Sequence, residues 1–435
     1  MKKKTVFLTG ACGGMGFQGL TRMLNDGNSY NTLVLVRDSE KNRKMLEPFM
    51  SKSNLEVVWG DLNDYATVYK CVEKSDLILH VAAFVSPAAD YNPKKAMQVN
   101  YGSTKNLITA IKEQKRENEV KFVYIGTVAE TGDRMPPIHW GRVGDPIKPS
   151  MFDYYAVSKV ASERYVIESG LKYWVSLRQT GIIGPAMSKI RDAIMFHNCY
   201  DNVLEYVSDR DSGILLRNLS YQDSTDTMDA SFWGHIYNIG GGESCRVSTA
   251  EMFDRLYGDI GIKDLSLILK PKMQATRNFH GHYYLDSDKL EDYLHFRHDS
   301  MEYYYDCYIK DLGATASLAK VICKIPGGQR LMASIMGGMF NKLADGEHGT
   351  KYFIDNNLED RIEAYWGSKK AWAKLPDSYK DFKHFTDWNN KIVLDHGYDE
   401  TKPESELTLD DMKKAAKFRG GECLSSEMTK GDWTT

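Results

Sequence analysis

The sequence predicts an α/β fold: a doubly wound parallel sheet, then a smaller lobe, then a mainly helical C-terminal extension. Three observations support this prediction. Apolar, β-rich segments alternate with helical patterns over residues 4–125, a glycine-rich turn follows the first of these segments, and the length of 435 residues exceeds that of a usual single domain. The alternation predicts parallel strands joined by right-handed helical crossovers.

The predicted strands occupy residues 4–9, 32–36, 55–59, 77–81 and 121–125. Helical patterns run from the glycine-rich turn through Leu24, over residues 65–72 and around residues 94–114. Ligands of such sheets bind at the carboxyl ends of the strands. Functional residues are therefore expected in the loops that follow the strands.

Composition excludes several classes of protein. Hydrophobic residues make up 42% and charged residues 26% of the chain, which argues against disorder and supports a large core. The 56 basic and 59 acidic residues give a net charge of -3, so no nucleic-acid partner is expected. The 7 cysteines are scattered and never form a C-x-x-C motif, which argues against disulfides and structural zinc.

No membrane-spanning or secretory segment is expected. No run of about 20 apolar residues occurs, and the longest candidate, Leu331 to Phe340, has half that length. The apolar run from Val6 to Leu8 is too short for a signal peptide. A cytoplasmic location is therefore expected. Two histidines at His280 and His282 lack a third ligand in register, so no metal is predicted.

The glycine-rich turn predicts a dinucleotide site and a Rossmann-type sheet. Glycines in such a turn permit its sharp bend, the close approach of a pyrophosphate, and tight helix–strand packing. The first helix then offers free N–H groups and the positive end of its dipole to the phosphates. The predicted contacts are Gly10, Cys12, Gly13, Gly14, Met15 and Gly16.

Arg37 favours NADP over NAD as the cofactor. It ends the second strand, where an acidic residue would bind the adenosine ribose and repel a 2′-phosphate. A guanidinium can instead bind that phosphate, with Arg43 or Lys44 as possible second contacts. Two alternatives stay open: a solvated charged turn, and an NAD site in which Asp38 binds the ribose.

Several motifs occur in one fixed order. They are Thr9–Gly16, Gly60–Leu62, His80–Ala83, Asn100, Phe122–Thr127, the YAVSK segment Tyr155–Lys159, Leu177–Pro185 and Ile236–Gly242. With these motifs the chain closely resembles the extended short-chain dehydrogenase/reductase family, the NAD-dependent epimerase/dehydratase-like proteins, over roughly residues 4–260. The VRDSEK stretch at residues 36–41 resembles the branch of dihydroflavonol reductases, and the resemblance extends to 3β-hydroxysteroid dehydrogenases.

The predicted catalytic residues are Thr127, Tyr155 and Lys159. Tyr155 and Lys159 are four residues apart, on one face of a helix. A nearby ammonium group is expected to lower the pKa of the Tyr155 phenol, which can then exchange a proton with a carbonyl or alcohol oxygen. Thr127 can hold the same oxygen, or it is simply a strand residue. The resemblance implies that Lys159 also binds the nicotinamide ribose, while Tyr154 lacks a lysine at i+4.

The resemblance places further cofactor contacts after the other strands. They are Asp61, Leu62, Val81, Ala82, Ala83, Asn100, Tyr155, Lys159, Thr180 and Ile182. Asp61 and Asn100 could instead cap helices. His80 is expected to be a core or loop residue rather than a catalytic acid. Gln179 stands where many relatives have proline, which leaves the contact at Thr180 open.

Three regions are predicted: an NAD(P)-binding domain at residues 1–185, with its sheet completed by about residues 230–260, a substrate-binding lobe at 186–311, and a mainly helical extension at 312–435. Aromatic and methionine side chains of the lobe fit an apolar pocket or a plain core. In the extension, residues 312–343 are apolar and predict buried core helices, with a dimer surface, a lid or an interfacial anchor as alternatives. Residues 350–400 predict an all-α segment.

The favoured function is that of an NADP-dependent oxidoreductase, with NAD possible, that interconverts a carbonyl and a secondary alcohol. Its partner is expected to be a bulky, apolar small molecule, steroid- or flavonoid-like, and a homodimer is possible. The alternatives are a nucleotide-sugar epimerase or dehydratase with tightly bound NAD, and a dinucleotide-sensing protein without turnover. The fold by itself does not decide among them.

Overall fold

The computed structural model describes residues 3–26 and 29–428. The strands, numbered in chain order, are β1 Lys4–Thr9, β2 Tyr30–Val36, β3 Leu55–Trp59, β4 Leu77–His80, β5 Lys121–Thr127, β6 Trp140–Gly141, β7 Trp174–Gln179, β8 Ile182–Ile183, β9 Val203–Glu205, β10 Val207–Ser208, β11 His235–Ile239, β12 Arg246–Ser248 and β13 Tyr283–Tyr284.

The α-helices are α1 Gly14–Met23, α2 Glu40–Leu46, α3 Tyr65–Glu73, α4 Ala88–Tyr91, α5 Pro93–Ala96, α6 Gly102–Glu113, α7 Tyr154–Ile167, α8 Asp209–Ser224, α9 Thr249–Gly258, α10 Asp288–Leu294, α11 Met301–Leu312, α12 Ala314–Lys324, α13 Gly328–Ala344, α14 Thr350–Asp355, α15 Glu359–Trp366, α16 Lys369–Ala373 and α17 Leu409–Phe418. A π-helical turn over Met97–Tyr101 joins α5 to α6.

Seven parallel strands form the central sheet, in the order β11-β7-β5-β4-β1-β2-β3. The chain runs outward from β1 through β2 to β3 and then returns to β4 on the other side of β1. The strand order therefore reverses between β1 and β4, and a crevice opens at the carboxyl ends of these two strands. The doubly wound α/β prediction is confirmed.

Both faces of the sheet are covered, because strands buried on two sides cannot leave either apolar face in water. Helices α1 and α8 pack on one face, where Leu216 of α8 and Val6 and Leu8 of β1 are fully buried. Helices α3 and α6 pack together on the other face, over Phe7 and Phe122. Since β11 and α8 come after residue 185, the segment that follows the predicted first domain also completes the sheet.

A second core lies beyond the sheet and joins the lobe to the extension. Its buried residues come from α9, α11, α12, α13 and the loops near residues 196–206. Phe340 of α13 meets Phe196 and Tyr257 edge to face, with ring centroids 6.5 and 5.9 Å away. His348 stacks on Tyr91 with centroids 3.6 Å apart, which ties the extension to the segment before α5.

The extension is mainly helical from α12 to α16, as predicted, but the all-α prediction for residues 350–400 is wrong after Ala373. Most of residues 382–403 has no regular structure. The segment contains Asn389, Asn390 and Gly397, which disfavour helix. It packs instead through the backbone carbonyl of Trp388, which accepts a hydrogen bond from the indole N–H of Trp140 at 3.1 Å.

The prediction of buried core helices for residues 312–343 is correct for one face of each helix and wrong for the other. Helices α12 and α13 bury the small residues Ala316, Ala319 and Ala333, whereas larger apolar side chains such as Leu318 and Ile335 are exposed. Both faces of these helices are apolar, so sequence alone could not tell which face was covered. Within residues 3–26 and 29–428, none of the helices combines the length and apolar composition needed to cross a bilayer.

Candidate active site

A cavity of about 910 Å³ opens at the reversal point of the sheet, beyond the ends of β1 and β4. Residues of the glycine-rich turn, the ends of β2 and β3, the loop after β4 and helix α7 form its wall. Of the predicted cofactor residues, the wall contains Gly10, Cys12, Gly13, Gly14, Met15, Gly16, Arg37, Asp61, Leu62, Val81, Ala82, Ala83, Tyr155, Lys159 and Ile182.

The glycine-rich turn has no room for side chains at two positions. Gly10 has φ +71°, and a Cβ there would lie 2.8 Å from the backbone nitrogen of Ala82. A Cβ at Gly16 would lie 2.1 Å from the carbonyl oxygen of Gly10. Gly13 begins α1 without a side-chain cap, so the first N–H groups of that helix face the cavity unshielded. This geometry fits a pyrophosphate.

His80 stabilises the start of the glycine-rich turn and the loop after β4. It is buried, and its Nδ1 lies 3.0 Å from the hydroxyl oxygen of Thr9, which accepts hydrogen bonds from the backbone N–H groups of Val81 and Ala82. Burial lowers the pKa of His80 to about 3, with a smaller contribution from Lys159. The neutral ring therefore accepts at Nδ1 and orders the two loops that frame the cavity.

At the far end of the cavity, Arg37 is exposed and follows β2 directly. A neighbouring pocket of about 480 Å³ shares Arg37, Asp61 and Lys95 with the cavity and adds Lys94. The wall of this pocket therefore contains three cationic side chains and one carboxylate, that of Asp61. The two lysines come from α5, far along the sequence, and no motif in the chain pointed to them.

Asp61 does not cap a helix. Its Oδ1 accepts hydrogen bonds from the backbone and side-chain nitrogens of Asn63, both at 2.8 Å, and the N-cap of α3 is Asp64. The carboxylate therefore shapes the turn after β3 while lying in the cavity wall.

Helix α7 brings Tyr155 and Lys159 into the same cavity wall, one turn apart. The Nζ of Lys159 donates to the backbone carbonyl of Ile125 at 2.5 Å and lies 4.2 Å from the ring centroid of Tyr124. Burial lowers the pKa of Lys159 to about 8, while Glu130 and Glu163 act in the opposite direction.

Burial raises the pKa of Tyr155, and a hydrogen bond with the Thr127 side chain opposes that shift. The expectation that Lys159 lowers the Tyr155 pKa is therefore not met in the protein alone. The ammonium group is directed at the carbonyl of Ile125 and the ring of Tyr124, and desolvation is the largest effect on the pKa of the phenol.

Three predicted site residues lie behind the wall rather than in it. The hydroxyl of Thr127 accepts from the N–H of Ala129 at 3.2 Å, within reach of Tyr155. The amide of Asn100 bonds both backbone groups of Phe84, at 2.7 and 3.0 Å, and so shapes the loop that lines the cavity. Thr180 is buried, while its neighbour Gln179 contributes to the wall.

A buried ionic network behind Tyr155 and Lys159 was not expected from the sequence. Arg178 binds both oxygens of Glu163, at 2.6 and 3.0 Å, and its Nε lies 3.5 Å from Glu130. Glu130 also accepts from the backbone N–H of Thr127 at 3.0 Å. Burial and the adjacent Glu163 raise the pKa of Glu130, whereas Arg178 lowers the pKa of Glu163. Arg178 lay within a quoted motif, but nothing in the spacing linked it to these acids.

The cavity wall also contains the apolar residues Phe84, Val85, Ile183, Ala186 and Met187, and the Nζ of Lys95 lies 4.9 Å from the ring centroid of Phe84. Two carboxylates flank the start of α7. Asp90 accepts from the backbone N–H of Tyr155 at 3.1 Å, and Asp153 caps the helix. Burial, with the field of Asp153, raises the pKa of Asp90. In the described ranges, no group of three or more metal-ligating side chains converges as a metal site would.

Residues 6–211 match the model of the NAD dependent epimerase/dehydratase family. Over this segment the chain is similar to that family. The match covers β1 through the start of α8, and therefore all of the glycine-rich turn and the Tyr155–Lys159 helix.

Curated relatives include the 3β-hydroxysteroid dehydrogenase/Δ5→4-isomerase of Mycobacterium tuberculosis, 27% identical over 210 residues, or 46% of this chain and 51% of that protein. The corresponding vaccinia virus protein is 27% identical over 195 residues, 40% of this chain and 51% of that protein. The chain thus spans about half the length of these relatives.

Among solved structures, a dTDP-glucose 4,6-dehydratase from Streptomyces venezuelae with NAD bound has a TM-score of 0.55 and 19% identity, covering 71% of this chain and 98% of that one. A UDP-Glc/GlcNAc 4-epimerase from Campylobacter jejuni has a TM-score of 0.53 and 17% identity, with coverages of 71% and 98%. At such identities the likeness shows the fold alone, and this chain shares it: a doubly wound, Rossmann-type parallel sheet.

Proposed function

We propose that this protein is an NADP-dependent oxidoreductase of the extended short-chain dehydrogenase/reductase type that interconverts a carbonyl and a secondary alcohol. The observation that supports it most is the presence of Tyr155 and Lys159 in the wall of the same cavity as the glycine-rich turn. The glycine-rich turn fits a pyrophosphate, and Tyr155 and Lys159 share the wall with apolar side chains such as Phe84 and Met187. Under this proposal the catalytic residues are Thr127, Tyr155 and Lys159.

The residues of the cavity fit a nicotinamide dinucleotide, because Gly10 and Gly16 let the turn pack tightly against backbone, Gly14 leaves open space, and the start of α1 is uncapped. When bound, the dinucleotide supplies or accepts the hydride. Tyr155 donates its phenolic proton to the carbonyl oxygen or takes it from the alcohol. Thr127 holds the phenol through a hydrogen bond, and Lys159 adds positive charge that favours the phenolate.

Lys159 can serve in this role because two opposing effects act on its pKa. Desolvation disfavours its charge, and the buried carboxylates Glu130 and Glu163 favour it. With a pKa of about 8, the lysine is mostly protonated at neutral pH and close to releasing its proton. Groups that take part in proton transfer work best near their own pKa.

The preference for NADP is supported by charge at the far end of the cavity. Arg37, Lys94 and Lys95 line the adjoining pocket. In the part of the chain that the structure describes, none of the three forms an ion pair with a carboxylate. A 2′-phosphate carries the charge that such a cluster binds, whereas the two hydroxyl groups of NAD do not.

The substrate is proposed to be bulky and apolar, in the steroid or flavonoid class. The apolar side chains Phe84, Val85 and Met187 support this. Asp90 and Asp153 beside the start of α7 would repel the diphosphate of a nucleotide sugar. The competing function is that of a nucleotide-sugar epimerase or dehydratase, which the family's description names.

The test is to incubate the purified full chain with panels of ketones, aldehydes, secondary alcohols and nucleotide sugars, and to follow NADPH absorbance. Mass spectrometry of the denatured protein identifies any retained dinucleotide. Turnover of NADPH with an apolar carbonyl is expected. Retained NAD, together with conversion of a nucleotide sugar without net redox change, would replace the proposal by the competing function. Dinucleotide binding with no turnover on any panel would favour a sensing protein.

A further inference from the structure

Helices α12 and α13 expose a continuous series of large apolar side chains, here called the hairpin surface. Its members are Leu318, Val321, Ile325, Leu331, Ile335 and Met339, each between 40% and 61% exposed. Isolated exposed apolar residues are normal on a protein, but six of them on two neighbouring helices form a patch of the kind that marks an interaction site.

The spacing shows that this patch is a second face of each helix. On α12 Leu318 and Val321 are three residues apart and Ile325 directly follows the helix, while on α13 the exposed residues follow at intervals of four. The opposite faces, with Ala319 and Ala333, are buried against the second core. A helix that is apolar all round is ordinarily covered on every side. Here the protein covers each helix on one face only, and the hairpin surface is the uncovered face.

The charge of the same segment is entirely positive. Between Asp311 and Asp345 the chain carries Lys320, Lys324, Arg330 and Lys342 and no acidic residue, although its net charge overall is -3. All four cations are exposed. Among the described residues, none of them is paired with a carboxylate. The apolar patch therefore has a basic rim.

We propose that the hairpin surface docks on an anionic lipid membrane. Apolar side chains flanked by unpaired cations match a bilayer surface, where the acyl boundary takes the former and anionic headgroups attract the latter. The two helices have 11 and 17 residues, about 16 and 26 Å in length. They suit a hairpin that lies in the plane of the interface.

A second copy of the chain fits this surface less well. A symmetric dimer places the same patch on both subunits, so the four cations of one copy would face the four of the other. Like charges brought together at an interface are unfavourable. The proposal concerns a surface away from the cavity and does not depend on the proposed reaction.

The test is co-sedimentation of the full-length protein with vesicles. One set contains phosphatidylcholine alone, and the other contains equal parts of phosphatidylcholine and phosphatidylserine. We expect binding to the anionic vesicles that weakens as salt is added. The triple variant Leu318→Ser, Leu331→Ser, Ile335→Ser should lose roughly tenfold or more in vesicle affinity, and so should Lys320→Gln, Lys324→Gln, Arg330→Gln.

Matched controls use exposed residues elsewhere. The variant Met50→Ser, Ile147→Ser, Ile167→Ser removes as many exposed apolar residues, and Lys52→Gln, Lys105→Gln, Lys112→Gln removes as much charge. Both should bind vesicles as the native chain does. The proposal is overturned if the native protein ignores anionic vesicles, or if the control variants weaken binding equally. A concentration-dependent dimer that the serine variant dissociates, without vesicle binding, would assign the surface to a second copy.

Discussion

The guanidinium of Arg43 grips the carboxylate of Asp38 with two parallel hydrogen bonds, Nε to Oδ1 at 2.6 Å and Nη2 to Oδ2 at 2.7 Å. The bond from Arg43 is the main reason that the pKa of Asp38 is lowered. The same guanidinium lies 4.6 Å from the ring centroid of Trp59, which fixes its position. Asp38 is therefore held by Arg43, and both Asp38 and Arg37 are exposed in the cavity wall.

Replacing Arg37 with alanine should weaken the binding of NADP. A charge-assisted hydrogen bond is worth about 1.5–3 kcal/mol, so the dissociation constant of NADP should rise roughly 10–150-fold. NAD lacks the 2′-phosphate and should be affected far less. Titration calorimetry of both dinucleotides, with native protein and Arg37→Ala, measures the difference.

Arg43→Ala is the matched variant on the same turn. It releases Asp38, so the free carboxylate should bind the ribose of NAD and repel the phosphate of NADP, which moves the preference toward NAD. A native preference for NAD that Arg37→Ala leaves unchanged would contradict the NADP proposal. Arg37 would then be a solvated turn residue.

Tyr155→Phe should abolish proton transfer and leave the cofactor site intact. Loss of general acid–base help should lower kcat by roughly 100-fold or more, with little change in the dinucleotide dissociation constant. Tyr154→Phe removes the neighbouring hydroxyl of the same helix and serves as the control. Equal losses in both variants, or near-normal turnover of Tyr155→Phe, would remove Tyr155 from the proposed mechanism.

The N-terminal half was predictable because local patterns and global fold agree there. Strand β3 was predicted to the residue at 55–59, and β5 was placed two residues short of its end at Thr127. Apolar runs, glycine turns and the fixed order of motifs all act over short stretches of chain. For the same reason they could place the glycine-rich turn, Tyr155 and Lys159 near the carboxyl ends of the strands.

The residues that sequence reasoning missed meet only through tertiary contacts. Lys94 and Lys95 line the same pocket as Arg37, although their short helix lies about 57 residues after Arg37 in the chain. Glu130 lies in a turn, Glu163 on a helix and Arg178 on a strand, and both glutamates contact the arginine. No period or spacing encodes such meetings, and the covered face of α12–α13 was ambiguous for the same reason.

Acid should destabilise the protein partly through His80. Its pKa is about 3 in the folded state, against an ordinary value near 6.5, so the folded state binds fewer protons between these limits. The contribution of neutral His80 to the free energy of unfolding is complete above about pH 6.5 and is lost as the pH falls. From pH 7 to pH 5 the loss should be about 2 kcal/mol.

His80→Gln cannot take up this proton, so the variant should lose about 2 kcal/mol less than the native protein over that interval. Urea unfolding at several pH values gives the two slopes. His235 is exposed, and His235→Gln should reproduce the native slope. Parallel slopes for the native chain and His80→Gln would show that His80 already binds its proton in the folded state.

Phe340→Ala should loosen the attachment of the extension to the lobe. Phe340 is buried on α13, and its ring meets Phe196 and Tyr257. Truncation of a buried phenylalanine leaves a cavity and costs about 3–5 kcal/mol. Ile335 lies on the same helix but is 61% exposed, so Ile335→Ala should change stability by no more than about 0.5 kcal/mol. Denaturant unfolding followed by tryptophan fluorescence compares the two, because Trp366 and Trp372 belong to the extension.

A small effect of both substitutions would mean that α13 does not pack on the lobe in solution. A large effect of Ile335→Ala would mean that the hairpin surface is itself covered by protein, which would also argue against membrane docking.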